Sequence, residues 1–190
     1  MIKIKHTALR GVLEIVPTKH EDARGFFSET FNPRSLAEHG ISFDMVQDNH
    51  SLSLPPGVLR GLHYQLPPYA QSKLVRVIRG RVFDVAVDIR RGSPTYAQWV
   101  GVELSAEKWN QLLIPEGFAH GFVTLEPNTE MQYKVSAYYS REHDRSIRYD
   151  DPEIGIAWPL DSWGTVISEK DENAPLLADA DNTFTYGQYS

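Results

Sequence analysis

Apolar and polar residues alternate along much of the chain, which is the pattern of half-buried β-strands. The runs Val75–Val77 and Phe83–Ile89 carry apolar residues at one parity, and Arg79-Gly80-Arg81 separates them. This pattern predicts a hairpin with one buried face. Further strands are predicted at Val100–Leu104, Leu112–Ile114, Phe118–Leu125 and Met131–Tyr139, with a turn at Pro115-Glu116-Gly117.

Only one stretch is clearly helical. Asn32 can cap a helix, Pro33 suits its first position, and Gly40 can end it after Arg34–His39. Many short strands joined by turns predict a sandwich or barrel, whose mouth is a natural site for a small-molecule pocket. We predict one domain over residues 1–190, in which loops and short helices from about Asp150 pack on the barrel.

Composition narrows the classes of function. The chain has 190 residues, a formal charge of −6 and no cysteine. The acidic balance argues against a nucleic-acid-binding surface. The absence of cysteine excludes disulfides, thiolate catalysis and Cys-ligated metals. Neither a signal peptide nor an apolar run of about 20 residues is evident. These features predict a cytoplasmic protein with no membrane partner.

A candidate catalytic histidine lies in the predicted strand Leu59–Gln65. Strand periodicity puts His63 and Gly61 on one face and Arg60 and Leu62 on the other. In a dry barrel interior, His63 could act as a base near neutral pH. It could equally be a structural histidine bonded to a backbone carbonyl, and this segment alone does not decide between the two.

A second histidine motif follows. Pro115-x-Gly117-x-x-His120 before a strand resembles the second motif of the cupin superfamily. Metal-binding cupins carry His-x-His in their first motif, whereas here Tyr64 and Gln65 follow His63. A protein metal site usually needs three protein ligands. We therefore predict a metal-free cupin without a cofactor.

Further segments, taken together and in order, form a specific pattern: 22–27, 47–51, 57–65, 73–77, 84–90, 92–96, 115–122, 133–134, 151–152, 154–156, 158–159 and 168–171. Through these segments the chain resembles, over nearly its whole length, the dTDP-4-dehydrorhamnose 3,5-epimerase family. The resemblance implies a cupin-type double-stranded β-helix (jelly-roll) barrel with a few short helices. It also implies epimerisation of dTDP-4-keto-6-deoxy-D-glucose at C3 and C5 through an enolate.

The family's catalytic roles map onto four residues here. The resemblance implies that His63 is the base, Tyr133 the acid on the opposite face, and Lys73 the cation beside the enolate oxygen. Asp171 is expected to orient His63. Asp84 is the alternative for this role if the segment that carries Asp171 lies elsewhere. Without the resemblance, Tyr133 is typical of a packing residue and Lys73 of a solvated strand end.

Substrate-binding positions also follow from the resemblance. Arg24 and Arg60 are expected to bind the diphosphate, because a planar guanidinium suits phosphate oxygens. Tyr139 is expected to stack on thymine. An acidic ligand is expected at Glu142 or Asp144, and the choice stays open. The remaining expected contacts are Phe26, Glu29, Gln47, Asp48, Asn49, Lys73, His120 and Lys170.

Several alternatives remain at the level of sequence. One is a relative that epimerises only C3 or serves an antibiotic-sugar pathway. Another is a non-catalytic sugar-nucleotide-binding cupin. A further one is a metal-dependent cupin oxygenase, and the missing second histidine of the first motif argues against it. Family members are usually homodimers in which the N-terminal strand crosses to the partner. Alternation within Met1–Ala8 suits such a strand, and suits an ordinary edge strand equally.

Overall fold

The computed structural model describes residues 2–160 and 164–188. Strands predominate, and the two α-helices are short, as their bounds show. The helices are α1 (Pro33–Ala37) and α2 (Glu169–Glu172). The strands are β1 (Ile2–His6), β2 (Leu13–Pro17), β3 (His20–Asp22), β4 (Gly25–Phe27), β5 (Gln47–Ser53), β6 (Leu59–Gln65), β7 (Lys73–Arg79), β8 (Arg81–Asp88), β9 (Trp99–Ser105), β10 (Gln111–Ile114), β11 (Phe118–Thr124), β12 (Thr129–Val135) and β13 (Asp144–Ser146).

Two antiparallel sheets face each other. One has six strands in the order β1-β2-β10-β7-β12-β5, and the other has five in the order β13-β6-β11-β8-β9. Apolar side chains from both sheets form the core between them, among them Val75 and Met131 from the first and Ala86, Leu104 and Phe122 from the second. This interior layer supports the site described below.

The predicted hairpin at Arg79-Gly80-Arg81 is wrong. β7 pairs with β10 and β12, whereas β8 pairs with β11 and β9, so the chain crosses between sheets at Gly80. The predicted shared face is wrong too. Val75 and Val77 lie in the interior core, but Val85 and Val87 pack on the outer face of the five-stranded sheet. Both faces of β8 carry buried apolar residues, Val82 and Ala86 on one and Val85 and Val87 on the other, and alternation cannot tell which face points inward.

The outer faces of both sheets are covered by chain from the two ends of the sequence. Residues after Asp150, including Ile154, Leu177 and Phe184, pack on the five-stranded sheet. The segment around α1 covers part of the six-stranded sheet through Leu36 and Ile41. β11 is buried along its whole length and β8 along most of it, so buried apolar residues occur on both faces of these two strands.

Local signals for the predicted helix are confirmed. Asn32 caps α1 by accepting hydrogen bonds from the Arg34 and Ser35 amides, and Pro33 occupies the first turn. The turn after β10 is also confirmed, and Gly117 there has φ +82°, which favours glycine. β1 pairs with β2, and Met1 of the predicted N-terminal strand lies outside the described residues. No helix in the described ranges is long and apolar enough to span a membrane.

Candidate active site

A cavity of about 300 Å³ opens at one end of the barrel. Both sheets contribute to its wall, and so do the chain after β12 and helix α2. Its lining residues are Gln47, Asn49, His63, Tyr64, Gln65, Gln71, Lys73, Tyr133, Tyr139, Asp144 and Lys170. The fold therefore brings sequence-predicted site residues from seven different segments to one cavity.

Strand register brings the six-stranded sheet's polar residues together. Tyr133 on β12 lies opposite Asn49 on β5 and Val75 on β7. In the adjoining row, Val135 lies opposite Gln47 and Lys73 by the same pairings. Cross-strand partners share a face of a sheet. Because Val75 is in the interior core, Tyr133, Asn49, Gln47 and Lys73 all face the barrel interior.

His63 on the five-stranded sheet is held by Asp171. The His63 Nε2 atom lies 2.6 Å from Asp171 Oδ1, and Asp171 Oδ2 accepts a bond from the Gly61 amide at 3.2 Å. An ionised carboxylate only accepts, so the imidazole donates from Nε2 and leaves Nδ1 as a base. Ser168 caps the short helix α2 and so fixes Asp171 over β6. Asp171, the predicted orienter, is therefore the hydrogen-bond partner of His63.

The pKa of Asp171 is kept low by its partners. Burial pushes the pKa of this carboxyl upward, but hydrogen bonds from His63, the Gly61 amide and Ser168 lower it below its usual value. The carboxylate is therefore charged at neutral pH. A charged carboxylate can stabilise the imidazolium that forms when His63 takes a proton.

A β-bulge corrects the predicted direction of Arg60. Against β11, His63 lies opposite His120, while Arg60 lies opposite Phe122, so β6 carries an extra residue between them. Arg60 therefore shares the interior face with His63, and the prediction that they point opposite ways is wrong. Gly61 makes the bulge possible: it has φ +128°, and a Cβ there would lie 2.5 Å from the Cα of Gly121.

His120 forms a second imidazole–carboxylate pair. Its Nε2 lies 3.0 Å from each carboxylate oxygen of Asp84. Asp84 thus pairs with His120, and it is not the orienter of His63. Burial lowers the pKa of His120, although the Asp84 carboxylate opposes that shift, so the imidazole is neutral at pH 7. Cross-strand pairing puts His120 directly beside His63.

Burial also shifts the pKa of the two remaining predicted catalytic groups. It lowers the pKa of Lys73 to about 8, against the attraction of Asp144 and Asp84. Burial raises the pKa of Tyr133, although the positive charge of Arg60 opposes this shift. At neutral pH, Lys73 is therefore mostly a cation and Tyr133 a protonated phenol. A cation and a proton donor in one cavity can stabilise an oxyanion and then supply a proton.

The rim of the cavity is charged and aromatic. Lys170 donates to Asp144 Oδ2 at 2.5 Å, and the Tyr139 hydroxyl lies 3.3 Å from the same oxygen. Of the two acidic candidates, Asp144 lines the cavity, whereas Glu142 is exposed and is not part of the wall. The prediction left this choice open, and the fold brings Asp144 to the site.

Six predicted binding residues are not among those that line the cavity: Arg60 and His120, described above, and the four that follow. Arg24 lies in the β3–β4 turn, paired with Asp22 and largely exposed. Phe26 packs edge-on against Trp109, and Glu29 accepts a bond from Asn32. Asp48 occupies the opposite face of β5 from Gln47 and Asn49, where it pairs with Lys134.

Two glutamines in the wall were not predicted as site residues. Gln65 and Gln71 use their side-chain amides to bond backbone atoms of the segment that follows β12. The parity of Gln65 with His63 was visible in the sequence, but its partners were not. Among the described residues, no group of three His, Asp or Glu side chains is arranged to hold a metal ion.

The chain is similar in sequence and in fold to proteins of known name. A family model described as dTDP-4-dehydrorhamnose 3,5-epimerase matches residues 6–179. A relative of that name from Shigella flexneri is 52% identical over 176 residues, which is 92% of this chain and 96% of the relative.

Solved structures extend the likeness to the fold. A dTDP-6-deoxy-D-glucose-3,5-epimerase from Legionella pneumophila, in complex with dTDP-4-keto-L-rhamnose, superposes with TM-score 0.90 and 48% identity over 94% of each chain. A dTDP-4-dehydrorhamnose 3,5-epimerase from Bacillus anthracis, with TDP and PPi bound, gives TM-score 0.89 and 44% identity over 93% of this chain and 99% of its own. Together with the two-sheet architecture, these matches confirm the predicted cupin-type jelly roll.

Proposed function

This chain belongs to the dTDP-4-dehydrorhamnose 3,5-epimerase family, and on that premise we propose that it epimerises dTDP-4-keto-6-deoxy-D-glucose at C3 and C5 to dTDP-4-keto-L-rhamnose. One observation carries the proposal. A carboxylate-oriented imidazole on one sheet and a phenol on the other, His63 and Tyr133, line the same cavity. Inverting a carbon needs a base and an acid on opposite sides of one ring.

In the first half of each inversion, the base is the Nδ1 atom of His63. It takes the proton from the carbon beside the C4 ketone, and the C–H electrons move onto the ketone oxygen as an enolate. Asp171 stabilises the resulting imidazolium through Nε2. The ammonium of Lys73, buried beside His63, supplies positive charge for the enolate oxygen.

The second half returns a proton on the other face. The Tyr133 hydroxyl donates it to the carbon, the enolate electrons re-form the ketone, and the tyrosinate regains a proton from solvent. His63 releases its own proton to solvent, so no net proton or electron is consumed. Burial raises the pKa of Tyr133, which keeps the donor protonated in the resting site.

The nucleotide is proposed to lie toward the rim. The bulge turns Arg60 toward the barrel interior, and this direction supports a role for its guanidinium in binding the diphosphate. Tyr139 is 58% exposed at the mouth and offers an aromatic face to thymine. Lys170, Gln47 and Asn49 supply further polar contacts in the wall.

Solvent isotope exchange tests the reaction directly. The protein is incubated with dTDP-4-keto-6-deoxy-D-glucose in D₂O, and C3 and C5 are followed by NMR. Exchange at both carbons is the expected result. Exchange at C3 alone would support the monoepimerase alternative instead. Exchange at neither carbon, with nucleotide binding retained, would identify a sugar-nucleotide-binding protein without catalysis.

We further infer a homodimer that works in the cytoplasm. β1 pairs on one side with β2, and its other edge is unpaired among the described residues. Phe26 and Phe27 on the β3–β4 hairpin are 52% and 71% exposed, which supports a protein contact there. The chain's lack of cysteine fits a reducing compartment. Light scattering at micromolar concentration should give twice the chain mass of 21.6 kDa, and a monomer would contradict the dimer.

A further inference from the structure

Residues 136–140, here called the mouth segment, follow β12 and form one wall of the cavity opening. The segment carries two large aromatic side chains that are mostly in solvent: Tyr138 is 65% exposed and Tyr139 58%. Burial of apolar surface therefore contributes little to holding them in place. An exposed loop with few buried contacts is ordinarily among the least rigid parts of a fold.

Side-chain amides hold the backbone of the mouth segment instead. Gln71 Nε2 donates to the Ala137 carbonyl at 2.8 Å, and Gln65 Nε2 donates to the Tyr138 carbonyl at 3.2 Å. The amide of Gln65 thus reaches a residue 73 positions along the chain.

At the next two residues the roles are reversed, because the backbone N–H groups donate to glutamine side-chain oxygens. Tyr139 N–H donates to Gln47 Oε1 at 3.1 Å, and Ser140 N–H donates to Gln65 Oε1 at 2.7 Å. A primary amide offers both donors and an acceptor at neutral charge, so it can bond two carbonyls and the two N–H groups that follow them. Four consecutive residues are therefore each bonded to a glutamine.

The three glutamines come from both sheets. Gln47 begins β5 in the six-stranded sheet, Gln65 ends β6 in the five-stranded sheet, and Gln71 lies just before β7. Gln65 is 3% exposed, and its Nε2 also donates to the Tyr69 carbonyl at 2.7 Å, so its orientation is fixed. We call Gln47, Gln65 and Gln71 the glutamine clamp.

We propose that the glutamine clamp is a positioning device that holds Tyr139 in place for the nucleotide base. This inference rests on the proposed contact between Tyr139 and thymine. Ordering a loop and its side chains on binding costs affinity, so a segment fixed beforehand binds more tightly. The clamp supplies that order without touching the reacting carbons. Its loss should therefore weaken nucleotide binding far more than turnover.

The first measurement is amide hydrogen exchange by NMR in Gln65→Met. Methionine has a similar length but neither donates nor accepts as an amide does. The Ser140 amide should exchange at least about tenfold faster, since its acceptor is gone. Gln71→Met removes only the bond to Ala137 and lies nearer solvent, so it tests the clamp if Gln65→Met folds poorly.

The second measurement is ligand binding by calorimetry. The Kd for dTDP should rise about tenfold in Gln65→Met and about threefold to fivefold in Gln71→Met, as expected for hydrogen bonds of ordinary strength. The Kd for pyrophosphate, which has no base, should change less than about twofold. With saturating substrate, isotope exchange should proceed at nearly the wild-type rate.

Asn182→Leu is the matched control. Asn182 also clamps backbone, donating to the Ile89 carbonyl and accepting from the Phe184 amide, but on the outer face of the barrel. It should lower stability while leaving dTDP affinity unchanged.

Three outcomes would overturn the inference. If Gln65→Met and Gln71→Met both leave the Kd for dTDP unchanged although Tyr139→Leu raises it, the clamp does not position Tyr139. If both variants weaken dTDP and pyrophosphate equally, the effect is on the whole pocket and not on the base. If Tyr139→Leu itself leaves the Kd for dTDP unchanged, the proposed thymine contact is wrong and the clamp loses this role, although isotope exchange can still demonstrate epimerisation.

Discussion

Two histidine–carboxylate pairs lie side by side in this barrel, and they differ in exposure and in origin. The side chain of His63 is 33% exposed to the cavity, whereas that of His120 is 8% exposed. Asp171 reaches His63 from a helix 108 residues later, while Asp84 and His120 lie diagonally across the adjacent strands β8 and β11. The same two functional groups are therefore presented to the substrate in very different ways.

The comparison shows how surroundings assign chemical roles. A base must reach its substrate and accept a charge, which the open His63 and its ionised partner allow. Burial lowers the pKa of His120 and disfavours a charged imidazole there. His120 is therefore suited to hydrogen bonding beside the sugar, and His63 to proton transfer.

Replacing the two histidines should have very unequal effects on catalysis. His63→Ala removes the proposed base and should lower kcat by about 10⁴-fold. His120→Asn, which keeps a hydrogen-bonding side chain, should lower it by about tenfold. Rates are measured by isotope exchange and dTDP binding by calorimetry, and binding should survive in both variants. Near-normal turnover in His63→Ala would show that the assigned base is wrong.

Replacing the two carboxylates with amides should also lower kcat far more at the His63 pair than at the His120 pair. Asp171→Asn keeps the size of the side chain but no longer stabilises an imidazolium, so kcat should fall by about 10³-fold. Asp84→Asn should chiefly affect folding, lowering the free energy of unfolding by about 1–3 kcal/mol through a weakened buried hydrogen bond. Urea unfolding and turnover are measured for each. Equal losses of kcat would mean that both pairs take part in proton transfer.

Lys73 lies close to both pairs and should matter for the enolate alone. Lys73→Met retains the buried stem but removes the cation, and kcat should fall by about 10²-fold with little change in the Kd for dTDP. Lys73→Arg, which keeps a positive charge, is the matched variant and should recover part of that loss. A change confined to dTDP affinity would place Lys73 at the nucleotide instead.

The alkaline limb of the pH profile should report on the same lysine. Burial lowers the pKa of Lys73 to about 8, so kcat should be about half-maximal near pH 8 and fall as the ammonium deprotonates. In Lys73→Arg the guanidinium stays charged, and this limb should move to higher pH. A wild-type profile that is flat to pH 9.5 would contradict the role of the cation.

The smallest expected effect is on stability. With a pKa lowered in the folded state, charged Lys73 opposes folding below pH 8, and this cost disappears as pH rises toward the unfolded-state value of 10.5. Lys73→Met should therefore raise Tm by a few degrees at pH 7 and by less at pH 10. Differential scanning calorimetry at both values gives the comparison. A lower Tm at pH 7 would show that contacts of the ammonium outweigh its burial.

Much of the fold could be predicted because its signals are local. The cap at Asn32, the turn at Gly117 and the alternation through β9 each depend on a few neighbouring residues. The hairpin prediction at Gly80 was wrong for a physical reason: alternation reports that a face is buried, but not against which strand. The outer face of β8 is buried by chain that arrives about 70 to 100 residues later.

Likewise, some of the candidate site could be predicted and some could not. The resemblance to the family indicated His63, Lys73, Tyr133 and Asp171, whereas residue types and spacing alone did not single out Tyr133 or Lys73, and the structure brings all four together. The direction of Arg60 was mispredicted because one extra residue at a bulge reverses the side-chain parity that follows.

The sequence by itself determined the strand-rich architecture, the helix cap and the chemical groups available to the site, since these follow from composition and short-range patterns. Tertiary structure alone decided which carboxylate pairs with which histidine, which face of β8 points inward, and that three distant glutamines meet one loop. Those facts depend on strand order and register between segments far apart in the chain, and side-chain periodicity within one segment carries no information about them.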